Sequence, residues 1–477
     1  MPVSIDRRPI YVLMVQRVTP YVGMFLVVWI AYQTMQQQPA EGLSVEGWRA
    51  LGVFGLCLVL WVTQLLPLAV TSLLGLALLP LLGVLPATEA YRLFGSPAVF
   101  FILGAFILAA GVMKTKLSEH MALVFLERVG LGPKRLILAV LLLPAFMAFW
   151  MPEHAVAAMF LPIVLEIVRS LGLQRGHPYA AALFLAMAWG CVIGGVATLL
   201  GGARGPLAMG ILKEITGREL SFVDWSVAAM PMVLMLLLVA VAVLLVFLPR
   251  VDIDISRVRE RLQVARLEQG ALSVKGRIMA MVMIAAVASW VFLGHSLGLA
   301  SIALMSVVLM FALRLVNWRD VEEYVNWGVV LMYGGAIAVG KALSDTGAAA
   351  WLAEFLLLDG LSPFVLLILL AGASLLLTEA VSNAAAVAIL LPIAIPLGIE
   401  AGMDALFVTL AVAIVAGFAF MLPMGTPANA MIYSTNYVRL GLMVRRGVLM
   451  SVSAWALLVF TASVIWPLIR PGLELHP

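Results

Sequence analysis

Four short polar clusters interrupt a chain that is otherwise apolar. Met151-Pro152-Glu153-His154 and Thr378-Glu379-Ala380-Val381-Ser382-Asn383 each lie between two apolar runs, and segments 190–208 (GCVIGGVATLLGGARGPLA) and 417–433 (GFAFMLPMGTPANAMIY) follow them. Gly, Pro, Thr and Asn within an apolar helix free backbone carbonyls and present side-chain oxygens, and groups freed in lipid must find a partner. Oxygen ligands of this kind suit a hard cation such as sodium. Helix N-termini opened at the same breaks favour an anion. Ser382, Asn383, Thr426 and Asn429 are therefore candidate contacts for substrate or ion. Glu153 and Arg204 are ionisable residues in apolar surroundings, where insertion is costly and a functional role is the default expectation. His154 adds a titratable imidazole beside them. Each has a plainer alternative. Ser382 would serve as a helix cap, Glu153 and Arg204 as a buried ion pair, Glu379 as an acceptor for neighbouring backbone, and His154 as a packing residue.

Composition decides what surrounds these clusters. Of 477 residues, 64% are apolar and 11% are Asp, Glu, Lys or Arg, against about 45–50% and about 25% in soluble domains. So few charges cannot cover a water-exposed surface of this size, which excludes a cytosolic enzyme, a disordered chain and a nucleic-acid binder. The net charge of +4 does not point to nucleic acid, because the basic residues fall between apolar blocks. Cys57 and Cys191 lie inside apolar runs and are expected as packing thiols rather than a disulfide. The first ten residues show no cleaved signal peptide. No His-Glu-x-x-His occurs, and no other catalytic constellation stands out, so an enzyme is not expected. The expected fold is an all-α polytopic membrane protein in the lipid bilayer.

A hydrocarbon core of about 30 Å needs about 20 apolar residues per helix. Apolar runs near 10–33, 49–65, 66–84, 97–114, 179–200, 226–249, 277–294, 297–313, 326–343, 405–422 and 448–468 supply about eleven crossings. The runs 136–150 and 155–168, and again 363–377 and 384–398, are shorter arms around a polar tip. At ~1.5 Å per residue such arms fall short of spanning, and each pair reads as a re-entrant helical hairpin. With the N-terminus cytoplasmic and both hairpins non-crossing, most Lys and Arg fall inside, among them Arg7, Arg8, Lys114, Lys134, Arg250, Arg277 and Arg445, as the positive-inside rule requires. The first hairpin then enters from the cytoplasm and the second from outside. Trp48, Trp225, Trp318 and Trp327 fall at span ends as interfacial anchors, and the charged stretch 250–277 reads as a cytoplasmic linker helix.

The halves resemble each other at a shift of 230 residues: Gly104-Ala105-Phe106-Ile107 aligns with Gly334-Gly335-Ala336-Ile337, and Leu161-Pro162-Ile163 with Leu391-Pro392-Ile393. Opposite entry sides make this an inverted repeat, as in many secondary transporters whose site lies between broken helices. The second half, Thr378 to Ala384 followed by Pro423-Met424-Gly425-Thr426-Pro427-Ala428-Asn429, resembles the divalent anion:sodium symporter family of citrate, dicarboxylate and sulfate carriers. That family's signature is Ser-Asn-Thr at each hairpin tip and a Thr-Pro-Pro-Asn-like break. Ala384 stands where the family has Thr, Pro152-Glu153-His154 where it has Ser-Asn-Thr, and Gly202-Ala203-Arg204-Gly205 where a Ser-Pro-Pro-Asn-like break belongs.

The resemblance implies a homodimer in which a transport domain moves past a scaffold in elevator fashion. Scaffold helices would occupy 1–112 and 277–345, with hairpin and transport helices in 113–249 and 346–477 around the linker 250–276. It implies that Ser382 and Asn383 contact a substrate carboxylate and Thr426 lines the pocket. Thr378, Asn383 and the backbone of Val381 and Gly425 would ligate a sodium ion. The expected function is secondary active transport of a small dianion such as a dicarboxylate or sulfate in the cell membrane, sodium-coupled through the second half. No other cofactor is expected. The alternatives are a proton-coupled or cation-independent anion carrier, or an arsenite or sodium/proton carrier of the same layout.

Overall fold

The computed structural model describes residues 10–36, 39–128, 132–248, 256–356 and 362–469. Arg7, Arg8 and Arg250, counted in the topology above, lie outside them. Among the described residues all regular structure is helical, and nine helices are long and apolar enough to cross a membrane. Local chemistry sets their ends. Pro occupies the first turn of Pro97–Lys114, Pro133–Met147, Pro178–Gly194 and Pro363–Ala380, where its missing N–H costs nothing. Ser44, Ser273, Ser362 and Ser382 cap helices with their hydroxyls, and Ser221 with Asp224 and Asn317 with Asp320 form capping boxes.

The repeat holds helix for helix. Val45–Thr63, Leu68–Leu81, Ala87–Leu93, Pro97–Lys114, Pro133–Met147 and Glu153–Ser170 find their images in Val274–Leu297, Leu299–Ala312, Trp318–Tyr324, Trp327–Asp345, Pro363–Ala380 and Asn383–Glu400. Helix Leu68–Leu81 packs against Trp327–Asp345, and the image pair Leu299–Ala312 against Pro97–Lys114. Exchange of partners between equivalent elements is what a two-fold relation produces.

Several expectations change. The runs near 66–84 and 297–313 give helices of 14 residues each, Leu68–Leu81 and Leu299–Ala312, because Pro67 and Gly298 set their starts. The arms of the second hairpin, Pro363–Ala380 and Asn383–Glu400, have 18 residues each and are among the nine helices long and apolar enough to cross, not too short as the apolar runs alone suggested, since Thr378 and Glu379 continue the first helix. The seven-residue helices Ala87–Leu93 and Trp318–Tyr324 were not expected, being too short to leave a periodic signature. Lys114 at a helix end pairs with Asp320 at 2.7 Å. Cys57 and Cys191 are buried free thiols. The linker helix runs Ser256–Gln269 and packs on Leu117–Arg128 and Glu153–Ser170.

The first hairpin is pressed into the helix that follows it. Pro133–Met147 and Pro178–Gly194 make one of the most extensive helix pairs in the protein. A Cβ on Gly194 would come within 2.6 Å of the carbonyl carbon of Ala145, a backbone atom that cannot yield. Gly194→Val is expected to destabilise the protein by about 1–3 kcal/mol, the usual cost of overpacking. Thermal unfolding in detergent checks this; an unchanged melting temperature would mean that the two backbones are not in contact.

Candidate functional site

The two hairpin tips and the two helix breaks meet at one buried polar junction. The first tip joins Met147 to Glu153, and Pro152 is the N-cap of the returning arm. The second tip is tighter, with Val381 and Ser382 alone between the arms. The following helices stop at Gly194 and Val415 and resume at Arg204 and Pro427. Gly and Pro supply the breaks, and the backbone groups they free all need partners.

At the first break the backbone N–H of Glu153 donates to Gly201 O at 2.9 Å. Thr198 Oγ1 donates to Phe149 O at 2.6 Å and accepts from the Leu200 N–H. Trp225 Nε1 donates to Val196 O at 3.0 Å. Trp225 is thus fully buried and is a strut of the break, not the interfacial anchor expected from its place near a span end. A buried indole N–H usually finds an acceptor, and that was the available signal.

At the second break Glu379 does the equivalent work from the opposite direction. Its carboxylate accepts from the N–H groups of Phe420 at 2.7 Å, Met421 at 3.0 Å and Leu422 at 2.9 Å, and from Ser451 Oγ at 3.3 Å. The plainer alternative for Glu379, an acceptor for backbone, describes this geometry. Asn429 Nδ2 donates to Ala419 O and Leu422 O, and Ser374 Oγ to Val412 O. Thr426 caps Pro427–Ser434 by accepting from the Asn429 N–H.

Between the breaks runs a chain of four side chains. Thr378 Oγ1 lies 2.6 Å from Ala416 O and 2.9 Å from Asn383 Oδ1. Asn383 Nδ2 donates to Glu153 Oε1 at 3.2 Å, across a separation of 230 residues. Arg204 Nη1 then meets Glu153 Oε2 at 3.5 Å. Glu153 and Asn383 are repeat-related positions that touch each other. Arg204 is 1% exposed, and its Nε and Nη2 have no hydrogen-bond partner among the described residues. A Cβ on Gly417 would stand 2.7 Å from Arg204 Cζ, so the glycine of the second break clears room for the cation of the first.

The other candidates surround this chain. Ser382 is half-buried and accepts from the Ala385 N–H, the capping role. Val381 is buried, and a Cβ on Gly425 would lie 3.1 Å from Thr378 O, which brings second tip and second break together. Asn429 Oδ1 is buried without a partner among the described residues. His154 is half-buried and packs edge-on against Phe106, ring centroids 5.8 Å apart. Two cavities border helices Glu153–Ser170 and Arg204–Thr216. One of about 510 Å³ is lined by Met159, Glu166 and Tyr324 among others, and one of about 750 Å³ by Pro206, Lys213 and His295 among others. Neither lining includes Glu153, Arg204 or Asn383.

The sequence profile described as sodium:sulfate symporter transmembrane region matches residues 19–470. The chain belongs to this symporter family. A sodium-dependent dicarboxylate transporter, SdcS, from Staphylococcus saprophyticus is 28% identical over 449 residues, 87% of this chain and 86% of that protein. An uncharacterized transporter from Haemophilus influenzae is 27% identical over 438 residues, 87% of this chain and 91% of its own. Among solved structures, the Alcanivorax borkumensis YdaH transporter superposes with a TM-score of 0.52 over 97% of this chain and 99% of that one, at 15% identity; that likeness is one of fold. The symporter-family member described here is accordingly a multi-pass membrane transporter, the class anticipated from the second-half motif.

The bonds of Glu379 generate an expectation. Glu379→Gln keeps the shape but turns an amide N–H toward backbone N–H groups, leaving at least one unsatisfied at a cost of about 1–3 kcal/mol. Hydrogen exchange should accelerate at Phe420, Met421 and Leu422. Unchanged exchange together with weakened substrate binding would instead make Glu379 a ligand contact.

Proposed function

We propose that this transporter carries a small dianion, a dicarboxylate in the first place, across the cell membrane, driven by sodium bound in the second half of the repeat. The observation that carries this reading is the junction at which both tips and both breaks converge, with Asn383 at its centre. Thr378 Oγ1 stands 2.9 Å from Asn383 Oδ1 and 2.6 Å from Ala416 O, and neutral oxygens of this kind are what a hard cation takes. Val381 and Gly425 would complete that set from the backbone. The relatives described as sodium-dependent dicarboxylate transporters support the same substrate class and coupling ion.

In this reading the substrate sits where the tips meet. Ser382, Asn383, Thr426 and Asn429 offer it neutral polar groups, and His154 and Glu153 border it on the first-half side. Arg204 has Nη1 engaged by Glu153, which leaves the Nε–Nη2 edge as a fork that fits one carboxylate. Both hairpins dip into the bilayer without crossing, from opposite faces, in an inverted repeat with the N-terminus cytoplasmic. Because Glu153, Asn383 and Arg204 are buried, access for a substrate requires the tips and breaks to move. That favours a transport body formed by 113–249 and 346–477 sliding past scaffold helices of 1–112 and 277–345 in a homodimer. A proton taking the place of sodium, on Glu153, is the second reading, favoured by the carboxylate standing at the junction itself.

Uptake of labelled succinate into proteoliposomes tests this directly. Wild type should respond to an inward sodium gradient, and Asn383→Ala should lose that stimulation while remaining folded. Sodium stimulation that survives the substitution removes the second-half site from the account. Uptake driven by a pH gradient without sodium selects the proton reading. Arg204→Ala should weaken affinity for a dianion more than for a monoanion, as competition by monocarboxylates would reveal.

A further inference from the structure

The two halves of the repeat solve the same local problem with opposite charge, and the difference points to how many ions the protein can take. At the second tip, position 383 carries a neutral amide, and its neighbours Thr378 Oγ1 and Ala416 O are neutral as well. The related position of the first tip carries the carboxylate of Glu153, with 7% of its side chain exposed. A buried carboxylate needs either a cation or a full set of hydrogen-bond donors; Glu379 has the donors, whereas the carboxylate of Glu153 accepts from Asn383 Nδ2 and pairs with a cation. Its ion-pair partner among the described residues is Arg204, the first residue of the helix after the first break, with 2% of its side chain exposed.

We propose that Arg204 is a resident counter-cation for the first tip. Its guanidinium, tethered by the chain and held against Glu153, does in the first half what a dissociable cation does in the second, so the first half binds no exchangeable cation. The inference rests on the reading of the second half as a sodium site only for its contrast, not for its own test. Three features support it. The carboxylate lies at the repeat equivalent of Asn383 and touches it. Gly417 and Gly202 both leave space against the guanidinium, so both breaks are shaped around this side chain. A second cation at Glu153 would have to share one carboxylate with Arg204 in a medium of low dielectric, where like charges repel strongly.

The consequence is specific: removing the tethered charge should create a requirement for a free one. Equilibrium binding of radioactive sodium to the purified full-length protein, counted per chain, is the measurement. Arg204→Gln should bind one sodium more than wild type, with the Hill coefficient of sodium-dependent thermal stabilisation rising toward two. Arg204→Lys should return the wild-type count, and so should the double variant Glu153→Gln/Arg204→Gln, which has no charge to compensate. A folded Arg204→Gln protein with an unchanged sodium count overturns the proposal. If Arg204→Gln folds only when sodium is present throughout purification, the proposal is supported. If it folds under no condition, Glu153→Gln decides: an uncompensated Arg204 should acquire chloride-dependent thermal stabilisation, and its absence overturns the proposal. The increment between variant and wild type tests this inference, whereas a wild type that binds no sodium at all defeats the sodium-coupling reading alone.

Discussion

Two helices broken inside an apolar protein leave backbone donors and acceptors that water cannot reach, and the need to satisfy them organises the structure around it. Each freed group costs several kcal/mol in a lipid-like environment, so each hairpin tip is pinned to the break it faces. In the first half the pins are one backbone N–H and two side chains: the Glu153 N–H on Gly201 O, Thr198 on Phe149 O and Trp225 on Val196 O. In the second half one carboxylate, Glu379, gathers three successive N–H groups while Asn429 and Thr378 take the carbonyls. The repeat conserves the problem and the helix plan, but not the chemistry of the answer.

That distinction explains what was legible in the amino-acid sequence. Helix plan follows from apolar run length, Pro at first turns and Ser or Asn caps, all local signals, and so the fold class, the hairpins' places and the 230-residue register could be read. The meeting of Glu153 with Arg204 was foreseeable as a charge argument, since neither group is tolerable alone in such surroundings. The contact between Glu153 and Asn383 follows from the register once the repeat is treated as a two-fold relation, because positions on the axis face their own images. What stayed hidden were the struts. Nothing local marks Thr198 as a partner of a break or Ser451 as a partner of Glu379, and the indole of Trp225 signals a need for an acceptor without saying which, because the partners lie in distant segments.

Arm length shows a second limit. Apolar runs alone ended the first arm of the second hairpin at 377, but the helix continues through Thr378 and Glu379 to Ala380. Polar residues end a helix only when no partner compensates them. Here Thr378 finds Ala416 O and Glu379 finds the second break, so tertiary bonding overrides the local signal. The same override places Arg204 at a helix start, where the dipole disfavours a cation; the carboxylate of Glu153 offsets that disadvantage.

The two buried carboxylates of the junction have different standing because their partners differ. Every group that holds Glu379 belongs to the second half, and three of them are main-chain N–H groups of a single loop. Tip and loop can therefore shift only together, and Glu379 makes them one body. Glu153 is held by one side chain from each half, Arg204 at 3.5 Å and Asn383 at 3.2 Å, and neither contact is short. Side chains exchange partners by rotation about single bonds, whereas a main-chain ladder does not. A carboxylate shared between repeats through two long contacts is thus the element of the junction whose bonding can change without unfolding anything.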